Sequence, residues 1–268
     1  MEILTFEVRG KMAHFRKYYA NNTAFSFSIP PRTTLMGMVA AAMGWQKDEY
    51  YDKLSTEHIR FGIRVLEPIK KSFQRVNFLS IKSLGNLSKN LSSDFRGHGG
   101  RIQTPFEVIT PIDLRTGDIA YQIFLAPGKS GTDTFDEISQ HFTHHPPIYN
   151  LSLGTANFQA NLTNIQLIKG AQVKEQQAEG FALLHSAVPS KMVKELSFEK
   201  DQLDRYNSVE EELLPGEFHG DPKRMRELKS MNRLLFSVSQ HPLRVRLNAS
   251  FWEVNTERES LNIQFMDV

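Results

Sequence analysis

The chain contains no cysteine among its 268 residues, which excludes disulfides, thiolate metal sites and a cysteine nucleophile. That absence fits a reducing compartment. Long apolar runs are also missing. The longest, Leu35 to Trp45, is too short to span a bilayer and holds two glycines. The opening Met1-Glu2-Ile3-Leu4-Thr5-Phe6 carries an early acid and no basic-then-apolar pattern, so a cytoplasmic protein with no membrane partner is expected. Net charge is only +2, too little by itself to argue for nucleic acid. Gly97-His98-Gly99-Gly100 lacks the strand-to-helix setting and the Lys-Ser/Thr of a phosphate-binding loop, which excludes nucleotide hydrolysis. No Ser/His/Asp arrangement stands out. With 40% hydrophobic and 23% charged residues, the composition is that of a globular protein of one large or two modest domains.

The small net charge is unevenly distributed. Residues 69–103 hold seven cations (Lys70, Lys71, Arg75, Lys82, Lys89, Arg96, Arg101) against a single acid, Asp94. Phe73, Phe78 and Phe95 are spaced among them, with Ser, Asn and Gly between. Cations neutralise phosphates and flat side chains stack on unpaired bases, so the segment suits a single-stranded nucleic acid. The plainer alternative is a solvated loop.

Alternation of Leu4, Phe6 and Val8 predicts a half-buried strand over 2–9. After Pro30-Pro31, Thr33 or Thr34 can cap a helix running from Leu35 to Met43 and ending at Gly44. Strands are expected over 59–67, 106–109, 119–125 and 158–168. A second helix, capped by Asp133 or Thr134, places Phe135, Ile138 and Phe142 on one face. Without the basic insertion this gives strand, helix, strand, strand, helix, strand, the ferredoxin-like order that RNA-recognition domains use. The fold class is therefore α+β, with residues 1–168 as the main domain, the insertion at about 69–111, and 169–268 as a smaller β-rich subdomain. Within the latter, 181–188, 243–254 and 261–266 read as strands. Residues 199–217 are acidic and are expected to be solvated or to face a partner.

The most specific text lies in the loop and helix Phe15-Arg16-Lys17-Tyr18-Tyr19 … Pro30-Pro31-Arg32-Thr33-Thr34-Leu35-Met36-Gly37. A helix N-terminus attracts phosphate through its unpaired N–H groups. Arg32 and the threonine hydroxyls stand at that end, Arg16 and Lys17 add charge, and Tyr18 and Tyr19 add stacking surface. Tyr121 and Phe124 are further stacking candidates on the sheet, although their parity places at least one in the core. His141, His144 and His145 have helical spacing but no carboxylate pattern, so an exposed helix end is expected there and no metal site.

The pattern Gly10-x-x-Ala13-x-Phe15-Arg16 … Ile29-Pro30-Pro31-Arg32-Thr33-Thr34-Leu35-Met36-Gly37 … Met43-Gly44 resembles the opening of the Cas "five" family. These are RAMP-superfamily subunits of type I CRISPR effector complexes (Cascade), and the flavour is closest to type I-B. Gly62-Ile63-Arg64-Val65-Leu66, Thr104-Pro105-Phe106-Glu107 and Leu153-Gly154 … Phe158-Gln159-Ala160 agree with it. The resemblance implies a ferredoxin-like domain with a basic thumb hairpin inserted between strands. It implies a subunit holding the repeat-derived 5′ handle of the guide crRNA, beside a large subunit (Cas "eight" type) and a backbone subunit (Cas "seven" type). Contact with target DNA inside the assembly stays open. Carried over by position, the RNA-binding residues are Phe15, Arg16, Lys17, Tyr18, Tyr19, Arg32, Thr33, Thr34 and Gly37, with Lys82, Lys89, Arg96, His98 and Arg101 on the thumb.

Some type I-C relatives are metal-independent endoribonucleases that cut the repeat with Tyr, Lys and His. The players here would be His98, Lys82 or Lys89, and Tyr18 or Tyr19, of which His98, Lys89 and Tyr19 are the leading set. A histidine between two glycines in a basic loop reads first as an RNA contact. The expectation is thus a non-catalytic RNA-binding subunit needing no cofactor and no metal, with a repeat-processing nuclease as the alternative.

Overall fold

The computed structural model describes residues 1–20, 23–79, 101–198, 209–220 and 226–267. The described residues are mixed but mostly β, with two α-helices among them. A central antiparallel sheet is formed by β1 (Ile3–Gly10), β4 (Ile59–Val65), β7 (Ile119–Pro127), β8 (Leu151–Ser152) and β9 (Gln159–Ile168). Its order is β4-β7-β1-β9-β8, so β1 lies between β7 and β9. The short β2 (Phe15–Arg16) and β3 (Ser26–Phe27) pair in the loop ahead of helix α1 (Arg32–Met43). Helix α2 (Thr132–His144) follows β7.

The alternating apolar residues of β1 face the helices: Leu4, Phe6 and Val8 share one core with Leu35, Val39, Phe135, Ile138 and Phe142. Phe6 and Phe142 rings lie 4.9 Å apart. The opposite face of β1 is not solvated as a half-buried strand would require. Ile3, Phe124 and Ile168 are covered there by a second core of Val254, Leu261, Ile263 and Phe265. Both stacking candidates on the sheet are consequently fully buried. Tyr121 donates a hydrogen bond to the Ser28 carbonyl at 2.7 Å, and Phe124 packs in the second core.

Helix caps differ from expectation. α1 begins at Arg32 with Pro31 at its cap position and no side-chain cap bond. Thr33 and Thr34 lie inside the first turn, two and three positions past the cap. α2 starts at Thr132, its first turn closed from the Gly131 carbonyl to Phe135 N–H, so neither Asp133 nor Thr134 caps it. Gly44 does terminate α1, in the left-handed conformation at φ 71°.

The described ends of the basic insertion pair antiparallel, β5 (Ile69–Leu79) with β6 (Arg101–Pro111), which extends the strand that periodicity places at 106–109. Its base is tied to the loop before α1 through bridges Ala13–Ile109 and Ala24–Phe106. The remaining described residues form three small sheets: β10 (Val173–Gln176) with β17 (Phe251–Asn255) and β18 (Ser260–Ile263); β11 (Phe181–Leu184) with β13 (Val193–Ser197) and β16 (Leu243–Leu247); and β12 (Val188–Pro189) with β14 (Val209–Phe218) and β15 (Leu228–Ser237). The segments read as single strands over 181–188 and 243–254 are each divided in two by a short turn. No helix among the described residues is long and apolar enough to cross a membrane.

The described part of the acidic stretch, residues 209–217, is not a solvated face, and residues 199–208 lie outside the described residues. The described part belongs to β14, whose carboxylates clamp cations from elsewhere in the chain. Glu217, at the foot of β14, lies 3.7 Å from the Arg32 guanidinium. Arg32 Nε meets Asp267 at 2.5 Å, and its Nη2 donates to the Leu54 and Ile59 carbonyls, both at 2.8 Å. Arg32 is fully buried. Burial pushes the Asp267 carboxyl up, and Arg32 and the Phe61 N–H only partly offset it. Burial also raises Glu217, but the Thr56 N–H, Arg32 and Lys229 outweigh it and hold the group below the usual carboxylate range. The stabilisation from Glu217 is therefore complete above that range and is lost as pH falls through its lowered value. Asp267→Asn, which strips the guanidinium of its nearest counter-charge, is expected to cost about 3 kcal/mol in urea denaturation at neutral pH. A loss below about 1 kcal/mol would show that Glu217 compensates alone.

Candidate functional site

One open groove of about 710 Å³ gathers residues from several parts of the chain. The loop after β1 supplies His14, Phe15, Arg16 and Tyr18, α1 supplies Thr33, Thr34 and Gly37 with Tyr50 beyond it, and the segment at β8 supplies Asn150, Leu151, Ser152 and Gly154. The hairpin contributes Phe78 and Phe106, and Phe218, Arg226 and Leu228 line it from the β14–β15 side. The wall is therefore aromatic and hydroxyl-bearing, with Arg16 and Arg226 as its cations among the described residues. Arg226 also lies over the Phe218 ring, 5.6 Å from its centre.

Six of the predicted residues meet here: Phe15, Arg16, Tyr18, Thr33, Thr34 and Gly37. They are not equivalent. Arg16 and Tyr18 are exposed, whereas Phe15 is buried edge-on to Tyr121, their rings 6.1 Å apart. Tyr19 is 58% exposed and sits edge-on to Tyr18 at 5.1 Å, just outside the lining.

Two predicted contacts are spoken for internally. Arg32 is the buried clamp described above, its guanidinium taken up by Asp267, Glu217 and the Leu54 and Ile59 carbonyls. Lys17 Nζ lies 2.7 Å from Glu212 Oε1, which also takes Lys71 at 3.3 Å. Glu212 in turn accepts the Ser28 N–H at 3.0 Å, and Glu210 accepts from the Ser28 hydroxyl. Burial disfavours the Lys17 ammonium, but the bond and charge of Glu212 outweigh it and raise its pKa. Its charge is neutralised within the fold. Lys82, Lys89, Arg96 and His98 lie outside the described residues, and for Arg101 the backbone position opposite Leu79 is what is described. The expected exposed end of α2 is present, with His144 and His145 exposed. No cluster of three or more His, Cys, Asp or Glu among the described residues could hold a metal ion.

Sequence reasoning missed His14, Tyr50, Asn150, Phe106 and Arg226. His14 has no periodic signature because it precedes a two-residue strand in a loop. Its backbone N–H donates to the Leu153 carbonyl at 3.0 Å, and its Nδ1 donates to the Glu107 carbonyl at 2.7 Å. Its ring lies 3.9 Å from that of Phe106. Burial, followed by the nearby Arg16 charge, lowers its pKa, while the Glu107 carbonyl and carboxylate oppose that. The ring is accordingly neutral at pH 7.

Residues 3–216 match the family model described as CRISPR-associated protein (Cas_Cas5), in its Cas5d form. The chain belongs to the Cas5 family of CRISPR-associated proteins. A crystal structure of a CRISPR protein from Archaeoglobus fulgidus shares the fold at TM-score 0.55 and 12% identity, covering 98% of this chain and 99% of that one. A structure of a CRISPR RNA-guided surveillance complex aligns at TM-score 0.46 and 13% identity, covering 90% of each chain. No curated protein gives a significant sequence match.

Gly154 makes the groove wall possible. At φ 97° it crosses His14 so closely that a Cβ would lie 1.8 Å from the His14 carbonyl oxygen. Gly154→Ala is therefore expected to displace the 153–154 crossing and to cost about 2 kcal/mol or more, read as a lowered Tm. An unchanged Tm would mean the loop reaches His14 differently.

Proposed function

We propose that the chain is a non-catalytic subunit of a type I, I-B-like CRISPR effector complex that binds and caps the 5′ handle of the guide crRNA. The single observation that carries this is the groove, in which exposed aromatic rings, hydroxyls and two arginines line one open channel beside a basic hairpin. Splayed single-stranded nucleotides are recognised by such surfaces, through stacking on aromatic planes and hydrogen bonds to base edges. Membership of the Cas5 family supports the assignment to CRISPR RNA-guided machinery. In the same reading the β4-β7-β1-β9 sheet with α1 and α2 is a ferredoxin-like RAMP domain, and β5–β6 is its thumb, laid over the RNA. The large subunit and the first backbone subunit dock on its remaining faces. Neither a metal nor another cofactor takes part.

The roles divide by chemistry. Tyr18, Phe78 and Phe106 offer π-faces, Thr33 and Thr34 offer hydroxyls at the start of α1, and Arg16 and Arg226 neutralise phosphates. Because Lys17 is already paired with Glu212, its removal releases no extra counterion. Arg16→Met is expected to reduce the slope of log K against log salt for repeat RNA by about one, and Lys17→Met to leave it unchanged. Equal slopes for the two variants would remove Arg16 from the interface.

A repeat-cleaving nuclease is separated from this reading by one gel. Purified protein incubated with end-labelled repeat RNA in EDTA is expected to leave the RNA intact on a denaturing gel while shifting it on a native one. A discrete cut, lost in His98→Ala, would move the chain into the nuclease class. Neither shift nor cut would overturn both.

A further inference from the structure

His14 is fixed more tightly than packing needs. Its backbone hangs on Leu153, its Nδ1–H on the Glu107 carbonyl, and its ring on Phe106. A carbonyl oxygen can only accept, so Nδ1 carries the proton and the neutral ring presents a bare lone pair at Nε2. That Nε2 is buried and has no hydrogen-bond partner among the described residues, in a side chain only 3% exposed that lines the groove.

Buried polar atoms left unpaired are rare because water is given up for nothing. Phenylalanine would serve the stack on Phe106, and asparagine would serve the bond to Glu107. What histidine alone adds is the second nitrogen. That nitrogen belongs to a side chain that lines an open channel, and it is screened from bulk water, where a hydrogen bond gains strength.

We infer that His14 Nε2 is a specificity-determining acceptor that takes one hydrogen bond from a donor group of the RNA in the groove, a ribose 2′-hydroxyl or an N–H of a nucleobase edge. This rests on the handle-binding reading above. A phosphate is the disfavoured partner, since its oxygens also only accept and would require the ring to be protonated against its burial. The contact is thus independent of the arginines. It adds selection by chemical identity to binding that the arginines supply by charge. If the donor is a 2′-hydroxyl, the same nitrogen separates RNA from DNA.

The test uses the full chain, its repeat RNA, and variants of both. His14→Asn keeps an amide N–H near the Nδ1 position for Glu107 and removes the Nε2 acceptor. It is expected to weaken binding about fivefold to tenfold, the worth of one hydrogen bond, with an unchanged salt slope. Two RNA panels locate the donor: single 2′-deoxy substitutions, and single base analogues lacking the exocyclic amine (inosine for guanosine, purine riboside for adenosine). One substitution should weaken the wild type by a similar factor and leave His14→Asn unaffected, and the panel in which it falls names the donor. Equal binding by wild type and His14→Asn across both panels overturns the inference and leaves the handle-binding reading standing. So does a weaker variant that still responds to every substitution as the wild type does. Failure of the wild type to bind repeat RNA overturns both. Should His14→Asn not fold, the Nε2 ¹⁵N resonance of the wild type decides. Its movement on saturation with RNA supports the contact, and a resonance unmoved by bound RNA overturns it.

Discussion

The buried guanidinium of Arg32 is the constraint around which the rest of the molecule is arranged. It joins the first residue of α1, the carbonyls of Leu54 and Ile59, Glu217 of β14, and Asp267 near the end of the chain. Its plane also lies over the Phe61 ring, 4.9 Å from the centre. A buried ion pair is weak evidence for stability, because desolvation consumes much of the Coulombic gain. Its value lies in what it disallows. A planar fork of five donors is satisfied by only one arrangement of these segments, and a lysine could not reproduce it. With Arg32 turned inward, Thr33, Thr34 and Gly37 are left to line the groove.

A second internal neutralisation shapes the surface charge. Glu210 and Glu212 of β14 hold Lys71, near the root of the hairpin, and Glu212 also holds Lys17 of the loop after β1. The acidic stretch and the basic segment are thus partners within one chain. This changes what the charge count means. The cations at the base of the hairpin are structural, and the groove's attraction for an anion comes from Arg16 and Arg226 among the described residues. The groove depends on shape and aromatic surface more than on charge density, which favours unpaired bases over a uniform phosphate rail.

Much of the fold was legible, and the reasons for the failures are physical. Leu4, Phe6 and Val8 alternate, and Phe135, Ile138 and Phe142 recur at helical spacing, so the sheet strands and both helices announce themselves. Local pattern cannot say what covers the far side of a sheet, and Phe124 was therefore offered as a stacking residue when Phe265 and Leu261 bury it. The strands beyond Ile168 are short, and turns interrupt them. The site was half legible for the same reason. Tyr18, Arg16 and the threonines stood out by type, but Arg32 and Lys17 have the same types and opposite fates. Their carboxylate partners lie roughly two hundred residues away, at Glu217, Asp267 and Glu212.

His14 illustrates the complementary failure. Nothing about an Ala-His-Phe tripeptide signals function, because the meaning of the histidine comes from three other places in the chain. Leu153 and Glu107 fix it by hydrogen bonds, and Phe106 fixes the ring by stacking. Gly154 permits the first of these by lacking a side chain where the two backbones cross. The two halves of the site then divide the work. Arginines and aromatic faces tolerate any sequence, since every nucleotide has a phosphate and a π-face. A single bare nitrogen held rigidly in the wall tolerates only a donor at one height above it. On the proposed handle-binding reading, holding one RNA end among many needs both kinds of contact, and a fold that pairs Arg32 and Lys17 internally leaves the selective part to a residue such as His14.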